Sequence, residues 1–422
     1  MKPVSIASDQ HMGASAAAPT LFDKLARRAV LRALSTLRYG SLTLVDGDET
    51  HRFGNPDSDL EATITVTDRR FYADVAFGGA VGGGEAWFRS FWETDSLTEV
   101  VRILARNRPV LENMDSGAAS LTRPLRRLFH WLHRNTQSGS RRNISAHYDL
   151  GNDFFELWLD GRMQYSSAIF EEPGMSLDAA QEAKLERLCR KLALTPDDHL
   201  LEIGTGWGGL AMYAAEHFGC RVTTTTISAE QFEYASRRVR DAGLADRITL
   251  LKKDYRELEG RYDKIVSVEM FEAVGHRYHG TFFSHCAGLL NPGGLMVLQT
   301  ITIADQRFEA AARSVDFIQR YIFPGGCLPS LTSIASTLTR FTDLRITHVE
   351  DIGPHYATTL RHWHDRMFAR IDDVVRQGYS SEFIRMWQYY LCYCEGGFLE
   401  RVIGNIQIIA GRPDTRTEPF IA

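Results

Sequence analysis

The chain has 422 residues, longer than one ordinary domain, and its length favours two. With 44% hydrophobic and 24% charged residues it reads as globular, which excludes a collagen, a coiled coil or a wholly disordered chain. Forty-eight Lys and Arg against 53 Asp and Glu give a net charge of −5, so attraction to nucleic acid or anionic lipid would need a local basic patch; no nucleic-acid partner is expected.

The six cysteines (Cys189, Cys220, Cys286, Cys327, Cys392, Cys394) include no C-x-x-C pair, which argues against a disulfide scaffold or a cysteine zinc site and for a reducing cytoplasm. The first 20 residues lack the apolar core of a secretory signal, so no export is expected. Ser284 to Ala304 carries no Asp, Glu, Lys or Arg, but Asn291-Pro292-Gly293-Gly294 breaks it as a turn between a buried helix and a buried strand would. No transmembrane helix is predicted.

In chain order, Leu21 to Tyr39 has helical apolar spacing with Lys24, Arg27, Arg28, Arg32 and Arg38, a basic amphipathic helix. Ser41 to Val81 alternates in short runs and predicts a small sheet. Gly78-Gly79 and Gly82-Gly83-Gly84 are expected to end it, and Phe88 to Arg106 to form one helix. These elements make a smaller N-terminal α+β domain over 1–115. A basic linker over 116–143 follows; between Gly117 and Tyr148 there is no acidic residue, while Arg123, Arg126, Arg127, Arg134, Arg141 and Arg142 lie among Leu125, Leu128, Phe129, Trp131 and Leu132. A peripheral membrane contact and a solvated linker face explain it equally well.

From Leu177 strands and helices alternate: helix 177–193, strand 199–203, helix 208–218, strand 220–226, helix 228–242, strand 247–251, strand 263–268, helix 277–290 and strand 294–301. That alternation predicts an α/β fold, a doubly wound, mostly parallel sheet with ligands at the carboxyl ends of its strands. Helices over 330–340, 358–377 and 381–403 and strands over 344–349 and 405–410 complete a second domain spanning 144–422.

The strand Leu200 to Ile203 runs into Gly204, Gly206, Gly208 and Gly209, where a chain can turn tightly and offer main-chain N–H groups to a nucleotide-like ligand. A structural turn or a dinucleotide reductase can show glycines of this kind as well. Thr226 and Gln231 stand where a ribose would be held, although Ser228 and Gln231 also spell a helix capping box. After the third strand, Asp254 could accept from an adenine amino group and Tyr255 could stack on the ring. His276 and His279, three apart, have no third ligand in view and are expected on a helix surface, so no metal is expected.

Taken together, Ala146-His-Tyr-Asp-Leu-Gly-Asn-Asp-Phe-Phe155, Met163-Gln-Tyr-Ser-Ser-Ala168, Ile203-Gly-Thr-Gly-Trp-Gly-Gly209, Thr226-Ile-Ser-Ala-Glu-Gln231, Met270-Phe-Glu-Ala-Val-Gly275, Tyr321-Ile-Phe-Pro-Gly-Gly-Cys-Leu-Pro329 and Tyr356-Ala-Thr-Thr-Leu360 closely resemble the cyclopropane fatty acid synthases and their mycolic acid relatives. The resemblance covers roughly residues 143–400. It implies a seven-stranded class I methyltransferase domain that uses S-adenosylmethionine to methylate the double bond of an unsaturated acyl chain in a membrane phospholipid. In that family the resulting carbocation loses a proton to bound bicarbonate and closes a ring. An alkene is a weak nucleophile, so such a site must align it with the methyl and exclude water; aromatic faces from Phe271, Tyr321, Phe323 and Tyr356 could stabilise the cation.

Residue by residue, the resemblance assigns Tyr165, Ser166, Gly204, Gly206, Gly208, Thr226, Gln231, Asp254 and Tyr255 to the cofactor. It assigns Glu272, the backbone of Ile301, Tyr356, Ser167 and Gln299 to the bicarbonate site. The last two depart from the usual pattern, which has Cys at 167 and His at 299; Thr205 likewise stands in place of a usual Cys. A neutral glutamine can donate one hydrogen bond but cannot carry the charge or shuttle the proton that His could. Methyl transfer of the cyclopropane synthase kind is therefore expected to persist, and the alternative is the same transfer giving a methyl-branched, methylene or methylated-diene chain instead of a ring. A catalytically retired lipid- or cofactor-binding protein and a small-molecule methyltransferase are the competing classes. The N-terminal domain is expected to bind lipid, the protein to sit peripherally on the inner face of the membrane, and a homodimer to form as in the bacterial relatives.

Overall fold

The computed structural model describes residues 20–108 and 150–416, so the basic segment at 116–143 lies outside the described residues. The chain divides into two compact units, one holding the chain up to Arg126 together with Tyr379–Glu400, the other Arg127–Gly378 with Arg401–Ala422.

In the first unit, Thr20 caps the helix Leu21–Leu34, which buries Ala26, Val30 and Leu34 at intervals of four. Strands β1 (Ser41–Asp46), β2 (Glu49–Gly54), β3 (Glu61–Val66) and β4 (Trp92–Thr94) form a sheet in the order β2-β1-β3-β4. The glycine cluster behaves differently from expectation. It lies inside a helix, Arg70–Phe88, kinked at Gly79 with φ 58°. A Cβ at Gly82 would stand 1.9 Å from the Asp74 carbonyl, so these glycines let the two halves of the kinked helix approach. The helix expected over 88–106 is accordingly shorter, Leu97–Arg106, capped by Ser96 after β4. The helix Ser381–Leu399, which the sequence places in the second domain, packs into the first unit: Thr98 donates to Glu395 at 2.7 Å and the Arg385 guanidinium lies 4.0 Å from the Trp87 ring centre.

The second unit is built on β5 (His199–Ile203), β6 (Arg221–Thr225), β7 (Ile248–Leu251), β8 (Tyr262–Val268), β9 (Leu290–Ile303), β10 (Arg345–Asp351) and β11 (Ile403–Gly411). Their order is β10-β11-β9-β8-β5-β6-β7, with β9 to β7 parallel and β11 antiparallel to both neighbours. The sheet is the expected α/β, mostly parallel seven-stranded one. Alternate residues point to opposite faces: Leu298 and Ile408 join one apolar cluster with Ile203 and Phe282, while Val297 and Ile409 join another with Leu200 and Leu210. Asn291 to Gly294 does not separate a helix from a strand, because β9 already begins at Leu290. Register matters most at the carboxyl ends, where Gln299 faces Gln407 on β11 and Val268 on β8, and Ile301 faces Asn405.

Candidate active site

At the end of β5 the chain turns through Gly204, Gly206 and Gly208 with φ of 108°, 52° and 88°. The Gly204 and Thr205 N–H groups both donate to the Thr225 carbonyl, at 3.1 and 3.0 Å, which fastens this loop to β6. Gly208 then opens the helix Gly209–Phe218. A Cβ on Gly206 would meet nothing within 4 Å, so the loop borders open space at a helix start, and the cradle fits a nucleoside-type cofactor.

Thr226 and Gln231 are both buried and bonded to each other, the Thr226 hydroxyl donating to Gln231 Oε1 at 2.9 Å. Ser228 accepts from the Gln231 N–H at 3.2 Å, half of the capping box the sequence suggested. Asp254 is nearly fully buried and takes the Arg256 backbone N–H at 3.0 Å and its guanidinium at 2.8 and 2.6 Å. Its carboxylate is thus held by Arg256 beside the half-buried Tyr255, whose ring meets Phe282 edge-on.

Tyr165 sits in an aromatic nest, its ring centre 5.4 Å from Phe155, 5.5 Å from Trp158, 5.2 Å from Trp363 and 6.2 Å from Phe323. Tyr356 meets Trp363 edge-on at 6.0 Å. Phe271 does not join this wall. It is fully buried in the core against Phe282, Phe283 and His279, and Tyr321 meets Phe317 with the rings tilted at 39°. His279 is therefore a buried residue rather than a surface one, and burial lowers its pKa to about 3.

Ser166 is buried, with its hydroxyl accepting from Lys184 Nζ at 2.9 Å and its carbonyl from Gln181 at 2.9 Å. Desolvation of Lys184 lowers its pKa to about 8. Under the glycine loop, Glu202 accepts from Thr224 at 2.5 Å, and burial pushes its carboxyl up to about 8. Thr224 and Thr205 share a bond of 2.7 Å, so the hydroxyl at 205 belongs to this buried chain.

The second half of the site gathers at the ends of β8 and β9. Sequence reasoning missed its centre, Glu269. Its backbone is left-handed at φ 49°, uncommon for a residue with a side chain. Its carboxylate accepts from four groups: the Ser167 N–H at 3.0 Å, Gln299 Nε2 at 2.8 Å, Asn405 Nδ2 at 2.6 Å and the Tyr356 hydroxyl at 2.7 Å. Gln299 is in turn held by Gln407 at 2.8 Å, and Gln407 by Lys191 at 2.7 Å, with Lys191 paired to Glu350. The Ser167 hydroxyl faces the other way and donates to the Ala168 carbonyl.

Three of the residues assigned to an anion, Ser167, Gln299 and Tyr356, thus converge on Glu269, while the other two, Glu272 and Ile301, pair with each other. Glu272 Oε1 accepts from the Ile301 N–H and from the Thr300 hydroxyl, the latter at 2.9 Å. Its other oxygen is buried with no partner among the described residues. Burial, and next the charge of Glu269, push the Glu272 carboxyl up to about 8. The two halves of the site are adjacent, since the Met270 side chain is the nearest neighbour of a Cβ built on Gly204, at 3.1 Å. A signal for Glu269 did exist, a carboxylate at the carboxyl end of an apolar strand, where open α/β sheets place ligands.

Among the described residues no helix is long and apolar enough to cross a membrane. The family model for mycolic acid cyclopropane synthetase matches residues 135–408. The chain is 39% identical over 329 residues to a tuberculostearic acid methyltransferase of Mycobacterium tuberculosis, covering 76% of each. It is 38% identical over 358 residues to a cyclopropane-fatty-acyl-phospholipid synthase of Escherichia coli, covering 83% of this chain and 88% of that one. A crystal structure of a mycolic acid cyclopropane synthase complexed with SAH and CTAB superposes with a TM-score of 0.61 at 32% identity, over 64% of this chain and 98% of the other. The chain belongs to the mycolic acid cyclopropane synthetase family and is an S-adenosylmethionine-dependent methyltransferase.

Proposed function

We propose that the protein transfers the methyl group of S-adenosylmethionine to a carbon–carbon double bond in an unsaturated acyl chain of a membrane phospholipid. The observation that carries this reading is the pairing of an aromatic nest, Tyr165, Trp363, Tyr356 and Phe323, with a half-buried carboxylate pair, Glu269 and Glu272, and a glycine cradle at the ends of the same strands. A positively charged hydrocarbon intermediate is served by ring faces and by negative charge in a dry site, whereas an amine acceptor would need neither such a wall nor a lipid surface.

In this reading Gly204, Gly206 and Gly208 lie along the cofactor, with Tyr165, Ser166, Thr226, Gln231, Asp254 and Tyr255 around it. Bound there, the cofactor supplies an electrophilic methyl group. The rings of Tyr165 and Trp363 exclude water and align the chain, and the Glu269 carboxylate stabilises the charge that develops.

The first unit supports a membrane-surface role. On the helix Leu21–Leu34, Leu21, Phe22 and Leu25 are 76%, 53% and 56% exposed, and Lys24, Arg28 and Arg32 are exposed around them. Such a helix end suits the boundary of an anionic bilayer. Incubation with methyl-labelled S-adenosylmethionine and phospholipid vesicles, followed by mass spectrometry of the fatty esters, tests the reading. Label in the acyl chains is expected; label confined to a water-soluble acceptor overturns it.

A further inference from the structure

We propose that Glu269 fills the anion position of this site with the chain's own carboxylate, so that the proton lost from the alkylated acyl chain passes to Glu269 and turnover needs no bicarbonate. The inference rests on the methyl-transfer reading above and deepens it.

The donor set is the argument. A bound bicarbonate was expected to use Ser167, Gln299 and Tyr356, and each of these spends a donor on Glu269: the 167 N–H at 3.0 Å, the 299 amide at 2.8 Å and the 356 phenol at 2.7 Å. Asn405 adds a fourth at 2.6 Å. All four partners donate, which suits an acceptor-only carboxylate. The Ile301 N–H, the remaining group assigned to the anion, is taken by Glu272. A further anion would find these donors occupied and would meet the Glu269 and Glu272 carboxyl groups at close range, so bicarbonate does not fit.

The same network fixes the carboxylate in place. Gln299 cannot rotate away from Glu269 without leaving Gln407, which Lys191 holds from the other side. A glutamine also suits this place better than a histidine would, because its amide donates to Glu269 and its carbonyl accepts from Gln407, with no proton to exchange. The left-handed backbone at Glu269 shows how closely the surroundings dictate its position.

The chemistry balances without a redox partner. In methyl transfer the carbon–sulfur bond breaks with its electrons remaining on sulfur. The alkene π pair forms the new carbon–carbon bond, which leaves a positive charge on the adjacent carbon. Loss of a proton from the added methyl closes a ring; loss from a flanking chain carbon leaves a double bond. In both cases the C–H electron pair stays in the hydrocarbon and the proton goes to the Glu269 carboxylate, with Tyr356 bonded to it as an exit. Glu272, whose buried Oε2 has no partner among the described residues, stands beside this pair.

Three measurements decide the matter. Wild-type turnover on unsaturated phospholipid vesicles is compared in carbon-dioxide-stripped buffer and with added bicarbonate; equal rates are expected, and saturable stimulation by bicarbonate overturns the proposal. Glu269→Gln, with folding checked by retained SAH binding, should lose about a hundredfold or more in turnover, the usual contribution of a general base, and a rate close to wild type contradicts it. Calorimetric titration with sodium bicarbonate, against a chloride control, serves as the readout independent of activity. No saturable binding is expected to the wild type and binding is expected to Glu269→Gly, whereas saturable binding to the wild type refutes the filled site. If the wild type labels no lipid in any buffer, the methyl-transfer reading fails, and the titration still judges whether Glu269 fills the anion position.

Discussion

Glu269 and Glu272, three residues apart at the end of β8, divide the polar groups of the site unequally: Glu269 takes four donors, while Glu272 shares one oxygen between two donors and leaves the other with no partner among the described residues. Burial first, and then the charge on Glu269, push the Glu272 carboxyl from 4.5 up to about 8. Glu272 is thus furnished to hold a proton near neutrality.

That asymmetry has a pH signature. Between the ordinary value of 4.5 and about 8, the folded chain keeps a proton on Glu272 that the unfolded chain releases, so stability attached to this group is present below the ordinary value and lost as pH rises towards the folded one. Glu272→Gln cannot ionise and removes the loss. The unfolding temperature of the variant should rise relative to wild type between about pH 5 and about pH 8. A difference that does not change with pH contradicts this account of Glu272.

The chain Lys191–Gln407–Gln299–Glu269 predicts coupling across the sheet. Gln299→Leu deprives the buried Gln407 and the half-buried Glu269 of a bond and should destabilise the fold by about 2 kcal/mol in chemical denaturation. Gln407→Leu added to it should cost less than it does alone, because the shared bond is already gone. Strict additivity would show that the two amides act independently.

How much of this was legible beforehand follows from what each residue type signals by itself. The strand and helix alternation from Leu177 gave the parallel sheet, because apolar runs of that length between turns have few other homes. The glycines at 78–84 misled, since a kinked helix that presses two of its turns together needs small residues for the same reason a turn does. Glu269 stood at a strand's carboxyl end, yet its central role was hidden for another reason. Its partners come from positions 167, 299, 356 and 405, on a loop and three separate elements, and no local spacing records that convergence. Asn405 and Gln407 were missed likewise, because their importance lies in the antiparallel register of β11 on β9.

The glycine cradle makes a separate prediction. At Gly206 a side chain would meet no protein atom within 4 Å, so Gly206→Val should affect the fold chiefly through its left-handed backbone, about 1–2 kcal/mol. The added branches would occupy the cofactor's space. Calorimetry should show SAH affinity reduced by more than that backbone cost explains. Unchanged affinity would place the cofactor elsewhere.

On the first unit, replacing Leu21, Phe22 and Leu25 together by serine should leave the fold intact, since all three side chains are exposed, and release the protein from anionic vesicles in a flotation assay. Charge reversal at Lys24, Arg28 and Arg32 should weaken vesicle binding by about 1 kcal/mol per residue at low salt, and less as salt rises. Binding indifferent to both sets of changes removes this helix from the membrane contact.

The most direct test of the central claim is the position of the transferred carbon. Purified protein, carbon-13 methyl-labelled S-adenosylmethionine and vesicles of a single cis-unsaturated phospholipid are incubated, and the released fatty esters are examined by mass spectrometry beside a saturated control. The account predicts one labelled carbon added to the acyl chain at the former double bond and none in the saturated lipid. Label on the head group, or equal labelling of the saturated lipid, would contradict it.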